Sequence, residues 1–161
     1  MKSRVILVLV TAIVTAVLTS ALWIAGLAVT SWYFNTGQPQ FVVTVDAPAQ
    51  VKVGDEAVLT MKARNPTDQP IELGSIDVYD SLLDGFQVLS TRPKPDDRAH
   101  HVAFETFYFR RTLGPDEEFE ATVRLKAVKP GLWSGDVDFC TPEEKFVTAV
   151  ATIRVIDPAG P

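Results

Sequence analysis

Phe119-Glu120-Ala121-Thr122-Val123-Arg124-Leu125-Lys126-Ala127 alternates without a break. Phe119, Ala121, Val123, Leu125 and Ala127 share one side, and Glu120, Thr122, Arg124 and Lys126 share the other. A period of two is the signature of a half-buried strand in an antiparallel sheet. Glu56 to Arg64 (EAVLTMKAR) repeats the pattern, with Ala57, Leu59, Met61 and Ala63 on one face. Gly114-Pro115-Asp116-Glu117-Glu118 and Lys129-Pro130-Gly131 flank the first stretch as turns.

Working outward, further short strands are expected at Phe41–Val45, Val51–Val53, Ile71–Leu73, Ile76–Tyr79, Phe86–Ser90, His101–Phe109, Leu132–Phe139 and Phe146–Ile156. Asn65 to Pro70 is a turn cluster, Asp80 to Gly85 a loop ending in Asp-Gly, and Arg92 to His100 an exposed charged loop. No amphipathic helical segment of useful length interrupts them. The reading is an all-β antiparallel sandwich of seven to nine strands, with a closed barrel as the alternative.

The chain's other landmark is its beginning. From Val5 to Val45 there is no Asp, Glu, Lys, Arg or His. Residues 5–34 are long enough for one transmembrane helix, since a bilayer core takes about 20 apolar residues. Lys2 and Arg4 precede it, and Trp32, Tyr33 and Phe34 end it. Under the positive-inside rule the first four residues are cytoplasmic, and the three aromatic rings sit at the outer interface. The expected organisation is a cytoplasmic tail (1–4), a signal-anchor (5–34), a linker (35–40), an extracytoplasmic sandwich (41–157) and a frayed tail (158–161). The competing reading is a cleaved signal peptide, but a signal's apolar region is about half this length.

All 20 acidic residues lie at or beyond Asp46, while two of the 15 basic ones precede the helix. The domain thus has 13 basic and 20 acidic residues, a net charge of −7. That opposes nucleic-acid binding and direct adhesion to anionic lipid. Cys140 is the one cysteine, so no intrachain disulfide forms.

Four turn patterns carry a family resemblance. Val53-Gly54-Asp55-Glu56 opens a strand, Arg64-Asn65-Pro66 closes it, Asp80 to Phe86 forms a corner, and Leu113 to Glu117 precede the alternating stretch and Lys129-Pro130-Gly131. Together they resemble the bacterial and archaeal immunoglobulin-like cell-surface modules of the conserved-repeat and CARDB-like type. The resemblance implies an immunoglobulin-like (Ig-like) sandwich.

Signals for chemistry are weak. No His or Met follows Cys140, as a copper site of the cupredoxin class would need. Asp77, Asp80, Asp84, Asp96 and Asp97 lack calcium-loop spacing and read as turn-capping groups. No G-x-S-x-G, phosphate loop or dinucleotide fingerprint occurs. We therefore expect no enzyme activity, metal, cofactor or small-molecule substrate. The strand carrying Phe104, Phe107, Tyr108 and Phe109 places Phe104 and Tyr108 on one face and Phe107 and Phe109 on the other. Phe107 and Phe109, with His100 and His101, form the candidate interaction surface. The expected function is a plasma-membrane, single-pass protein whose Ig-like domain binds a protein partner in or near the membrane, or scaffolds the envelope. The alternative is a secreted or surface carbohydrate-type binding module.

Overall fold

The computed structural model describes residues 41–157, together with Thr15, Thr19, Ser20 and Trp23. Those four are helical and exposed, and the Thr19 hydroxyl donates to the Thr15 carbonyl at 2.7 Å. Among the described residues no helix is long and apolar enough to cross a membrane. The rest of the anchor reading (Lys2, Arg4, Trp32, Tyr33 and Phe34 included), the linker and the last four residues lie outside the described set.

Residues 41–157 form two packed sheets. In chain order the elements are β1 (Val42–Asp46), β2 (Gln50–Lys52), β3 (Glu56–Arg64), β4 (Ile71–Tyr79), a one-turn helix α1 (Asp80–Leu83), β5 (Phe86–Arg92), β6 (Asp97–His100), β7 (Phe104–Leu113), β8 (Glu118–Ala127), β9 (Gly131–Cys140) and β10 (Phe146–Ile156). One sheet has the order β1-β3-β8-β5, the other β2-β10-β9-β4-β7-β6. The chain crosses from sheet to sheet after every strand from β1 to β5 and again after β7 and β8, so neighbours in space are distant in sequence. All described pairings are antiparallel except β10 with β2.

The two alternating stretches pair with each other, Leu59 opposite Val123 and Met61 opposite Ala121. Their apolar sides are buried, as the period of two requires. The inner face of this sheet is rich in alanine, at 57, 63, 121 and 127, whereas the six-stranded sheet contributes Phe107, Phe109 and Phe139. Small residues on one layer and large ones on the other let the layers interdigitate. Phe109 meets Phe119 across the interface with ring centroids 4.9 Å apart, a favourable tilted geometry.

Three expectations change. Ile71–Leu73 and Ile76–Tyr79 are one strand, because a bulge between Leu73 and Ser75 resets the alternation so that Leu73, Ile76 and Val78 all face inward. The strand total rises to ten among the described residues, because the charged loop contains β6, which pairs with β7. β6 is a sheet edge, and its charges suit that place. Arg98 pairs with Glu105 and caps the Phe107 ring at 5.3 Å, an inward-turned charge that discourages edge-to-edge pairing. The Asp80–Gly85 loop contains α1, which packs on β9 because Gly135 has no side chain. A Cβ there would lie 2.7 Å from Ser81 Oγ and 2.8 Å from the Leu82 nitrogen.

Asn65 is the one fully buried polar side chain of the β3–β4 turn cluster. Its amide donates to the carbonyls of Gln69 (2.7 Å), Leu113 (2.9 Å) and Gly114 (3.1 Å). Its carbonyl oxygen accepts from the Thr67 nitrogen and hydroxyl. One side chain thus ties the β3–β4 turn to the β7–β8 turn.

Candidate functional site

The outer faces of the two sheets differ. The four-stranded sheet shows solvent a lattice of paired charges: Lys62 with Glu118 and Glu120, Arg64 with Asp116, and Arg124 with Glu56. Such pairs are solvated and individually worth little. The six-stranded sheet carries a depression of about 550 Å³ over β9, β4 and β7, within the size range of binding sites.

Register builds its floor. Asp138 on β9 lies opposite Asp77 on β4, which lies opposite Thr106 on β7. One step along, Cys140 lies opposite Ser75, which lies opposite Tyr108. Since β4 alternates, Ser75, Asp77 and Tyr79 point away from the core while Ile76 and Val78 fill it. Aromatic groups form the walls. Tyr79 and Phe104 have ring centroids 5.4 Å apart, and His101 and Phe104 5.0 Å apart. Opposite the β4 bulge, Arg110 takes a positive φ of 48°, uncommon for a residue with a side chain. Its guanidinium lies over the Tyr108 ring at 5.5 Å.

The electrostatics are unusual for a protein surface. Asp77 and Asp138 are like charges on directly opposed positions, a destabilising arrangement. No ion pair among the described residues involves either of them. Asp138 accepts from the Thr148 hydroxyl at 2.5 Å. Burial raises the Asp77 carboxyl above the usual carboxylate range and the Asp138 charge adds to it, against hydrogen bonds from Thr106, Cys140 and Ser75. The Tyr79 phenol is raised by burial and then by Asp138.

A raised acid is a loss of native stability at neutral pH. Asp77 contributes most below the ordinary value of 3.8, where it is protonated in both states, and that contribution is lost as pH rises through its folded value. Asp77→Asn is therefore expected to unfold later in urea than the natural chain at pH 7, by up to about 1 kcal/mol. The gap should close towards pH 4. A variant less stable than the natural chain at pH 7 would contradict the repulsion argument.

Cys140 has the opposite character to a catalytic thiol. Burial first, and then the Asp77 charge, push it up to about 12, so it is a neutral donor to Asp77 Oδ2 at 3.6 Å. The thiolate is the nucleophile. At pH 8 iodoacetamide should label Cys140 about three orders of magnitude more slowly than free cysteine. Asp77→Asn should speed that labelling by removing one cause of the shift. Labelling of the natural chain at the free-cysteine rate would refute it.

Of the residues singled out in the sequence, Phe107 and Phe109 are core, at 0% and 1% exposure. This corrects their place in the interaction surface: β7 turns Phe104, Thr106 and Tyr108 outward instead. His101 lines the depression, whereas His100 lies 3.9 Å from Asp80. Asp77 belongs to the floor, while Asp84, Asp96 and Asp97 are exposed and apart from it. Asp138 escaped the sequence reading, because nothing local distinguishes it from the exposed Asp136 two residues away. Among the described residues no group of three or more His, Cys, Asp or Glu is placed to hold a metal.

The architecture is that of an Ig-like β-sandwich, as solved structures bear out. A cohesin module from a Clostridium perfringens family 33 glycoside hydrolase aligns with 73% of this chain and 97% of its own, at 9% identity and a TM-score of 0.51. The C-terminal domain of the Streptococcus agalactiae AgI/II polypeptide BspA aligns with 71% of this chain and 50% of its own, at 12% identity and a TM-score of 0.51. A CARDB domain from Pyrococcus furiosus aligns at a TM-score of 0.45, with 16% identity over 74% of this chain and 90% of its own. No family model matches the sequence, and no curated protein matches it. At these identities the likeness is one of fold, and the site rests on this chain's own residues.

Proposed function

We propose that the chain is a single-span membrane protein whose Ig-like domain is an extracytoplasmic, non-catalytic interaction module, contacting a protein partner through the outer face of the six-stranded sheet. The contrast between the two sheet faces carries this reading. One is laced with paired charges; the other is concave, partly aromatic and electrostatically unsatisfied. Phe146, Val150 and Leu132 add exposed apolar surface on β10 and β9, and apolar patches of this kind favour association. The uncharged run over residues 5–34 supports anchoring in the plasma membrane, and Lys2 and Arg4 support a cytoplasmic N-terminus. Anchoring confines the domain to a thin layer and raises its effective concentration for membrane neighbours. The neutral Cys140 thiol argues against nucleophilic catalysis there. A carbohydrate-type ligand is the second reading, favoured by the aromatic walls of the same depression.

Two measurements test the proposal in intact cells. Protease added outside should digest the domain and spare the first residues. A photo-crosslinking side chain at Thr148 or Val150, on the six-stranded face, should capture one protein. The same group at Val58 or Thr60, on the other sheet, should not. Protection of the domain from outside protease would overturn the topology. Capture only from the four-stranded face, or from neither, would overturn the interaction surface, and capture of glycan alone would establish the second reading.

A further inference from the structure

Asp77 and Asp138 face each other at the floor of the depression, and among the described residues no ion pair joins either of them, or Glu72 and Glu144 of the lining, to a cation, Arg110 of the same lining lying instead over Tyr108. The arrangement costs stability in the free domain, and structural conflicts of this kind concentrate at functional sites. A positive charge between the two carboxylates would remove the repulsion. The walls are aromatic, and the faces of Tyr and Phe rings attract cations. Carboxylate floor and aromatic walls together select an organic cation.

The placement of the carboxylate oxygens defines its shape. Asp77 Oδ1 lies 3.4 Å from Ser75 Oγ and Oδ2 accepts from Cys140, while Asp138 Oδ1 accepts from Thr148. Each oxygen keeps a second lone pair, and the two carboxylates stand on neighbouring strands, so the cation bridges them and does not make parallel bonds to one carboxylate as a guanidinium fork does. A compact ammonium with three donors can reach acceptors on separate strands. Phe146 at the rim and Val150, four residues further along the same strand, are both exposed, which suits a polypeptide that continues past the depression. The domain's net charge of −7 favours a basic partner.

We propose that the depression receives the ammonium group of a lysine side chain carried by a partner polypeptide, held between Asp77 and Asp138 with its methylene stem against Phe104 and Tyr108. The proposal rests on the interaction-module reading and adds the chemistry of the partner.

The full-length protein in detergent micelles is titrated, by saturation-transfer NMR, with the peptide acetyl-Gly-Ala-Lys-Ala-Gly-amide and with the same peptide carrying norleucine for lysine. The lysine peptide should bind saturably, weaken with salt, and lose about tenfold in affinity or more on Asp77→Asn or Asp138→Asn. The norleucine peptide should bind at least tenfold more weakly. Both substitutions relieve repulsion and nearly preserve shape, so loss of binding will not stem from loss of the fold, which circular dichroism of each variant verifies. Equal binding of the norleucine peptide, or unchanged binding to both Asn variants, would overturn the assignment. So would displacement of the lysine peptide by calcium, choline or an oligosaccharide at lower concentration than the peptide itself requires. If the lysine peptide fails while the Val150 crosslink to a partner persists in the Asn variants, the lysine assignment falls and the interaction surface stands. If the crosslink is absent as well, both fall.

Discussion

Asn65→Ala should lower the unfolding free energy of the domain by about 3–4 kcal/mol, among the largest effects of any single polar substitution here. The side chain is fully buried and makes five hydrogen bonds within the turn region. Truncation takes the Asn65 partner from the buried Leu113 carbonyl and the Thr67 nitrogen, and one donor each from the carbonyls of Gln69 and Gly114, which keep the Thr67 hydroxyl and the Glu117 nitrogen. Each lost partner costs about 1 kcal/mol or more when water does not take its place. The backbone of Asn65 also bonds to Glu117 and Asp116, so relaxation of one turn disturbs the other. The expected outcome is an earlier urea midpoint with the slope of the transition unchanged. Asn65→Asp should also destabilise, because a carboxylate retains the acceptor towards Thr67 but cannot donate to the three carbonyls. An alanine variant within 0.5 kcal/mol of the natural chain, about the size of a neutral surface change, would show that these bonds do not hold the turns.

Phe107→Ala is expected to cost about 3–5 kcal/mol, the usual range for emptying a phenylalanine site in a core. Phe107 is fully buried, between Ile76 on β4 and Arg98 on β6, which covers its ring, with Phe139 on the far side of Ile76. Removing the ring leaves a cavity in the core, and Arg98 would lose the surface it stacks on. Tyr108→Ala is the control. Tyr108 is only part-buried and faces the depression, so its removal should cost much less stability while weakening capture of a partner from the six-stranded face. If Tyr108→Ala unfolded the domain and Phe107→Ala did not, the faces of β7 would be the reverse of those described.

These two residues mark where local sequence stops being sufficient. Alternation on β7 separates Phe104 and Tyr108 from Phe107 and Phe109, but it is symmetric under exchange of the two faces. Glu105 shares the Phe107 side, and a carboxylate there speaks for solvent. The structure places Glu105 inward because Arg98, on a strand hidden in a charged loop, neutralises it. Asn65 likewise reads as an ordinary turn former; its burial depends on a second turn about 50 residues later.

The sequence by itself determined the strand class and most strand positions, since a period of two and the turn chemistry of Gly, Pro, Asn and Asp are local properties of the chain. β3 falls on residues 56–64 as its alternation demands, and β8 and β10 fall within one residue of theirs. It also determined the acidic balance of the domain and the long uncharged run before it. Tertiary structure alone decided which face of each strand is core and where the bulge on β4 resets it. It alone brought Asp77 beside Asp138 and Ser75 beside Cys140 across more than 60 residues of chain. Register between distant strands is fixed by the fit of two whole sheets, a collective energy that no short stretch of sequence contains.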